Sequence, residues 1–579
     1  IVADYFTGEG INDAVIYHLI YGMEGAGLGE YYLLIVFALL STFLSLIASL
    51  VYYSKISNRK KVSKKSPISA ISFVFVFVGF FLHPVSLFSF NMIHNNGNLD
   101  GFTKYYKTPT ITSSPQKKPN FVYIYAESLE RTYFDDELFG DLFIELKALE
   151  KEGLSFSGIG QSMGAGWTIA GMSASQCAIP LVTPSDGNSM SNGEYFYQGA
   201  VCLGDLLKSE GYYLSFLGGA SLGFAGKGKL FSTHGFDSVE GKEELENRLQ
   251  DKSYQSHWGL YDDTLLDIAY ERFEELSSKD KPFGLTLLTL DTHHPEGHIS
   301  DTCKKLPLKG GEDKMLNALS CTDYLLSHFI KKIRDSKYGE NTVIVIVSDH
   351  LAMHTSTLEK LYKKERSNLF MILDPRNRES KIVDSIGTTL DIAPTFLNLL
   401  GFDASLGLGR NLLKEESLLA NYPNLNDKLE GWRSAIGSFW NFPTITNDIH
   451  IDLLAKKVKI EDNSYSLPII IKFDKTLKTT IYFSNDFDET LCYIPKLDNY
   501  LPSERDKATT SYIWIDSCSN INKTDEINSD QFCIVFEDKN EKTLKIVEGD
   551  EEYISFEKIY EMAKNEKYKA SKGDRALAI

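Results

Sequence analysis

Four short stretches of this sequence carry residue types that could act together around a metal ion. Gln161–Ser173, QSMGAGWTIAGMS, places the hydroxyl of Thr168 on a glycine-rich turn entering a helix. The apolar run Phe121-Val-Tyr-Ile-Tyr-Ala ends on Glu127-Ser128, and Thr342-Val-Ile-Val-Ile-Val-Ser ends on Asp349-His350. A free threonine hydroxyl is a poor nucleophile at neutral pH, and coordination to a metal is one of the few ways to make it reactive. Glu127, Asp349, His350 and Thr168 together form a mixed carboxylate, imidazole and hydroxyl set that suits a divalent cation, Mn best, with Zn and Mg as alternatives. The fourth stretch, Leu290-Asp-Thr-His-His-Pro295, adds His293 and His294, of which one would hold a phosphoryl oxygen or move a proton to a leaving alcohol. The chemistry implied is metal-assisted covalent catalysis.

Such residues need strand ends to deliver them. Apolar runs recur at Asn120–Ala126, Tyr212–Leu217, Pro282–Leu290, Thr342–Val347 and Asn368–Leu373, separated by helical patterns such as Leu142–Lys151 and Tyr261–Ser277. Continuous apolar strands alternating with amphipathic helices predict an α/β fold with a largely parallel sheet covered on both faces. In such a sheet the carboxyl ends of the strands line one edge, where Glu127, Asp349 and His350 would converge.

The motifs Tyr125-Ala-Glu-Ser128, Gly166-Trp-Thr-Ile-Ala-Gly-Met-Ser173, Leu290–Pro295, Val347-Ser-Asp-His350 and Thr389-Leu-Asp-Ile-Ala-Pro-Thr395 resemble the alkaline phosphatase and sulfatase superfamily. The branch is that of membrane-anchored lipid head-group transferases, nearest to the phosphoglycerol transferases that modify osmoregulated periplasmic glucans. Lipoteichoic acid synthases are more distant. The resemblance implies an α/β/α sandwich over 119–412 and Thr168 as the nucleophile. It places His293 at the substrate-binding histidine, with Trp167 also among the substrate-contacting residues. It further implies phosphatidylglycerol as donor, a periplasmic glucan as acceptor, a covalent phosphothreonine intermediate and release of diacylglycerol. Lipoteichoic acid synthases use Mn and related phosphoethanolamine transferases use Zn, so the metal stays open. Where the former grip glycerol phosphate with His, Trp and Arg, this chain offers Phe224-Ala-Gly-Lys227-Gly-Lys229, and Lys227 is the substitute expected to hold phosphate as a point charge. A phosphoethanolamine transferase, a lipoteichoic-acid-synthase-like polymerase and a catalytically silent binding module are the alternatives. Sulfatase chemistry is disfavoured, because Cys177-Ala-Ile-Pro180 has neither the proline spacing nor the arginine of the C-x-P-x-R motif.

A chain of 579 residues predicts more than one domain, and a formal charge of −18 argues against a nucleic-acid partner. Tyr31–Tyr53 and Pro67–Phe90 are uncharged, and a membrane span needs about 20 apolar residues at about 1.5 Å rise each. Two transmembrane helices are expected within 31–90, with the basic loop 54–66 on the cytoplasmic side and both 1–30 and the bulk of the chain outside. A further span before Ile1 is also expected. This is the arrangement of a bacterial inner-membrane protein with a periplasmic catalytic domain. Residues 91–118 read as a juxtamembrane linker and 413–579 as a β-rich appendage with a mobile tail after Lys564. Seven cysteines outside the cytoplasm suggest disulfides: Cys177 with Cys202, Cys303 with Cys321, and one pair among Cys492, Cys518 and Cys533.

Overall fold

Along Asn120–Ala126 every side chain after the first is buried, with Phe121, Tyr123 and Tyr125 entering one core and Val122, Ile124 and Ala126 another. This two-sided burial is what an inner strand of a covered sheet requires. The computed structural model describes residues 99–182, 195–377, 380–461, 463–483, 510–521, 531–538 and 542–564, with a few isolated positions between 15 and 51. Apart from those positions, the expected segment 1–30, the two spans and the loop 54–66 lie outside the described residues, as does the tail 565–579. Among the described residues no helix is long and apolar enough to cross a membrane.

The strands of the first part are β1 (Lys107–Ser113), β2 (Asn120–Ala126), β3 (Leu154–Gly160), β4 (Tyr213–Gly218), β5 (Ser238–Glu240), β6 (Phe283–Leu288), β7 (Thr342–Ser348), β8 (Phe370–Leu373), β9 (Lys381–Thr388) and β10 (Asp403–Gly407). Eight of them form one sheet in the order β5-β4-β6-β2-β7-β8-β3-β9. Neighbours from β5 to β7 are parallel. The strand β8 runs antiparallel to both β7 and β3, so the sheet is mixed at this point. The connection from β7 to β8 carries only the short helix Leu358–Leu361, and an antiparallel return needs no crossover helix. In the central pair Tyr125 lies opposite Val347 and Ala126 opposite Ser348, so the next residues, Glu127 and Asp349, leave the sheet side by side.

One face of the sheet packs against helices Thr168–Cys177 and Ile392–Leu400, the other against Asp262–Ser277 and Lys314–Arg334. Burying an aromatic or aliphatic side chain in these layers contributes about 1.5–3 kcal/mol before entropy is counted. The sheet is therefore a rigid platform whose upper edge holds the candidate residues.

Several boundaries differ from the expectation. Residues 99–113 are not a bare linker: Leu99–Tyr105 is a helix, and β1 pairs antiparallel with β10. The stretch after Leu412 does not pass directly to strands. Leu418–Asn421, Leu425–Gly431 and Arg433–Gly437 are short helices, and their Leu425, Leu429 and Ile436, with Trp432 between the last two helices, join the first core. The β-rich part follows Trp440 as two antiparallel sheets of four and five strands, sharing one core of Ile449, Ile451, Ile471, Ile513 and Ile534. Helix Phe556–Lys564 adds Ile559 and Ala563 to that core.

Cys177–Cys202 and Cys303–Cys321 are joined as expected, and the third pair is Cys518–Cys533. Cys492 lies outside the described residues.

Candidate functional site

The turn after β2 carries Glu127 and Ser128. Ser128 is buried with φ 53°, a left-handed conformation uncommon for a non-glycine residue. That conformation lets one residue hold two carboxylates: its N–H donates to Asp349 Oδ1 at 2.8 Å and its hydroxyl to Glu127 Oε1 at 3.0 Å. The Glu127 main chain is fixed as well, its N–H donating to Thr289 Oγ1 and its carbonyl accepting from the hydroxyl of Thr292. Asp349 Oδ1 also accepts the N–H of His350 at 2.9 Å.

His350 Nδ1 donates to the Leu351 carbonyl at 2.8 Å, since a carbonyl can only accept. This directs Nε2, with its lone pair, toward Glu127 Oε1 at 3.5 Å and Asp349 Oδ2 at 3.3 Å. One ligand atom from each of Glu127, Asp349 and His350 lies within 4.8 Å of the others, and all three are buried. Asp349 Oδ2 has no hydrogen-bond donor among the described residues. A buried carboxylate oxygen left so is costly in protein alone and is satisfied by a cation, so the donor set fits a divalent metal. The electrostatics agree. Burial pushes the Glu127 carboxyl up, but the hydrogen bond and charge of His350 prevail and hold it well below the usual range. Burial, then the Glu127 charge, pushes Asp349 well up. Burial lowers His350, but Asp349 and Glu127 outweigh it and raise the imidazole to about 9. The pocket thus attracts positive charge, which His350 itself supplies when no cation is present.

Thr168 is the first residue of the helix Thr168–Cys177, with Trp167 as its extended N-cap. Its hydroxyl points to Glu127 Oε2 at 3.4 Å. At a helix N-terminus the unpaired N–H groups and the macrodipole favour developing negative charge. This helix approaches the ligand-bearing strand end very closely: a Cβ on Gly171 would lie 1.7 Å from the Asp349 carbonyl oxygen. Gln161, from the same motif, accepts the Leu351 N–H at 2.8 Å, and Ser162 pairs with Thr389 at 2.9 Å. The Thr389–Thr395 motif therefore buttresses the turn that leads into Thr168.

With this geometry in place, the likeness to known proteins can be stated. Residues 119–402 match the family model described as Sulfatase. Residues 1–96 match the N-terminal domain of phosphoglycerol transferase I, and 447–574 match its middle domain. The phosphoglycerol transferases I of Shigella flexneri and of Escherichia coli O6:K15:H31 are 38% and 37% identical over 522 residues, covering 89% of this chain and 66% of each relative. The chain belongs to the phosphoglycerol transferase I family. It spans 66% of the length of these relatives. Among solved structures, an alkaline phosphatase superfamily protein from Vibrio parahaemolyticus aligns with TM-score 0.43 at 22% identity, covering 57% of this chain and 79% of that one. A lipoteichoic acid synthase from Listeria monocytogenes aligns with TM-score 0.42 at 19% identity, covering 53% and 79%. The sulfatase match and the sheet order together give the fold class as alkaline phosphatase/sulfatase-like α/β.

The remaining residues singled out for this family member also gather at the sheet edge. His293 and His294 follow β6, are buried, and stack with ring centroids 4.6 Å apart. His293 Nδ1 donates to the His294 carbonyl at 2.7 Å, since a carbonyl can only accept, which fixes the ring orientation. Burial, reinforced by the His293 charge, holds His294 well below the usual imidazole range and therefore neutral. Lys227 is buried, 4% exposed, with its ammonium 4.7 Å over the Phe224 ring. Burial pushes it down to about 8, against the pull of Glu127 and Asp349. Trp167 packs against the edge of the first core.

Cys177, the last residue of the helix that Thr168 begins, is disulfide-bonded and has no sulfur free for conversion to formylglycine. Sequence reading missed Trp258, whose ring centroid is 4.2 Å from that of His293, and Asp262. Asp262 accepts the N–H groups of Leu290 and Asp291 at 2.7 and 3.1 Å and so braces the histidine loop. Burial pushes its carboxyl up to about 7. The available signal was a Tyr-Asp-Asp helix start at 261–263, indistinguishable in sequence from an ordinary cap.

Proposed function

We propose that this protein transfers the phosphoglycerol head group of phosphatidylglycerol to a periplasmic glucan, releasing diacylglycerol. The curated relatives' shared name supports the reaction, and the observation that carries its mechanism is the Thr168 hydroxyl 3.4 Å from Glu127 Oε2 beside an electron-rich donor set. Glu127, Asp349, His350 and Thr168 would hold a divalent cation, Mn by donor type with Zn or Mg as alternatives. When bound it supplies positive charge that lowers the hydroxyl pKa and offsets the charge of the phosphodiester.

Thr168 Oγ, its hydroxyl proton first lost to solvent, attacks phosphorus in line as the alkoxide, forming a phosphothreonine diester and breaking the bond to the diacylglycerol oxygen. The helix N-terminus and the Lys227 ammonium face the anionic group during this step. His293, through Nε2, gives the departing alkoxide its proton, while neutral His294 supports it by stacking and Trp167 borders the head group. In the second half a glucan hydroxyl loses its proton to His293 and attacks the phosphothreonine, regenerating Thr168. The membrane-anchored, periplasm-facing arrangement expected from 31–90 would keep the enzyme beside its lipid donor.

The test is peptide mass analysis of the protein after incubation with phosphatidylglycerol and Mn. A glycerophosphoryl adduct on Thr168, absent from Thr168→Ala, is expected. Full transfer activity in Thr168→Ala would end the proposal. Phosphatidylethanolamine in the same assay distinguishes a phosphoethanolamine transferase by the mass of the adduct.

A further inference from the structure

The loops that leave β2 and β7 are joined by a buried ion pair that the chemistry above does not use. Glu130, three residues beyond Glu127, is fully buried. Arg366 reaches it from the segment leading into β8, with a side chain only 12% exposed. Its Nε lies 3.1 and 3.0 Å from the two Glu130 oxygens, and one terminal nitrogen donates to Oε2 as well. The same terminal nitrogen donates to the Ala352 carbonyl at 2.6 Å, while the Ala352 N–H donates to Glu130 Oε2 at 3.0 Å. Ala352 stands three residues beyond Asp349 and two beyond His350. Both main-chain groups of one residue in the Asp349-His350 loop are thus held by a pair rooted three residues from Glu127. The Arg131 N–H, donating to the Ser367 carbonyl at 2.8 Å, continues the connection.

A buried ion pair is poor evidence for stability, because desolvation offsets much of its attraction. What a guanidinium fork adds is geometry: its donors lie in one plane at fixed angles, which a lysine ammonium cannot reproduce. Here the fork sets the distance between two loops whose first residues are Glu127 and Asp349. Groups behind metal ligands orient those ligands and govern affinity.

We infer that Glu130 and Arg366 are positioning residues which fix the spacing of Glu127 against Asp349 and His350 and thereby set the affinity of the site for its cation. Neither touches the substrate. The inference rests on the reading of those three residues as metal ligands.

The experiment is calorimetric titration of MnCl2, and in a separate run ZnCl2, into the full chain, with thermal melts of the metal-free protein alongside. Arg366→Lys keeps the charge and loses the fork; a Glu130→Gln, Arg366→Gln double variant leaves no unpaired buried charge. Both are expected to raise the Mn Kd by about 10- to 100-fold relative to wild type. A purely structural pair would lower the melting temperature and leave the Kd of the folded variants unchanged, and that result overturns the inference. If neither variant melts cooperatively, the pair is a folding element and the positioning role is likewise overturned. Wild-type protein that binds neither Mn nor Zn removes the metal reading itself, whereas tight wild-type binding matched by the variants removes only the role of Glu130 and Arg366.

Discussion

The two sides of the candidate site are held by different means. On the Glu127 and Asp349 side, position comes largely from the main chain: the parallel register of β2 and β7, the N–H groups of Ser128 and His350, and a helix pressed against a carbonyl through Gly171, with the Ser128 hydroxyl and the Glu130–Arg366 pair as side-chain additions. On the His293 side, position comes from side chains: the Trp258, His293 and His294 rings in sequence, braced from below by Asp262. The first arrangement tolerates little displacement in a close-packed core, and the second depends on ring packing around a braced loop.

A graded set of substitutions tests this contrast. The largest effect belongs to Thr168→Ala, expected to lower transfer by on the order of 10⁴ to 10⁶, as removal of a nucleophile does, read as diacylglycerol release. His293→Gln is expected to cost about 10² to 10⁴ in kcat, and His294→Gln less, because burial already holds that ring neutral. Equal losses would place both histidines in the chemistry and blur the contrast.

Gly171→Ala probes the main-chain side without touching a reacting group. The added Cβ meets the Asp349 carbonyl, so overpacking should cost about 1–3 kcal/mol in a denaturant titration, together with a loss of activity larger than that of Ala→Gly at the neighbouring Ala170. Unchanged stability would show that the helix shifts freely.

The smallest effect is a pH profile. Lys227, pushed down to about 8 by burial, is charged below that value and neutral above it. If its ammonium steadies phosphate, kcat/KM falls as pH rises through about 8, and Lys227→Arg removes that limb. Unfolding does not mimic this loss. With a folded pKa below the unfolded value of about 10.4, the unfolded chain binds more protons in that window, so this group's contribution to stability rises with pH.

How much of this was readable in the residues follows the same division. Glu127 and Asp349-His350 were legible because each ends an uninterrupted apolar run, and Thr168 because a glycine-rich turn precedes a helix of small residues. The two histidines were legible by motif and Lys227 only as a cation standing where the family pattern fails, and the structure sets Lys227 within the field of Glu127 and Asp349. Trp258, Asp262, Glu130 and Arg366 were not, since each acts on a partner far along the chain or through a turn with no signature. Among the strands, β3 was obscured by its serines and glycines, Leu-Ser-Phe-Ser-Gly-Ile-Gly, and β9 by the exposed alternation of an edge strand. The helices within 418–437 are too short for a periodic signal.

The bond between Cys177 and Cys202 has a practical consequence for anyone preparing this protein. It ties the far end of the nucleophile helix to the N-cap of the next helix, and it sits beside His234. Material made in a reducing cytoplasm would carry two thiols there instead, a soft donor pair of the kind that selects zinc. A metal count on such material would sum two unrelated sites, so stoichiometry has to be measured on the oxidised protein.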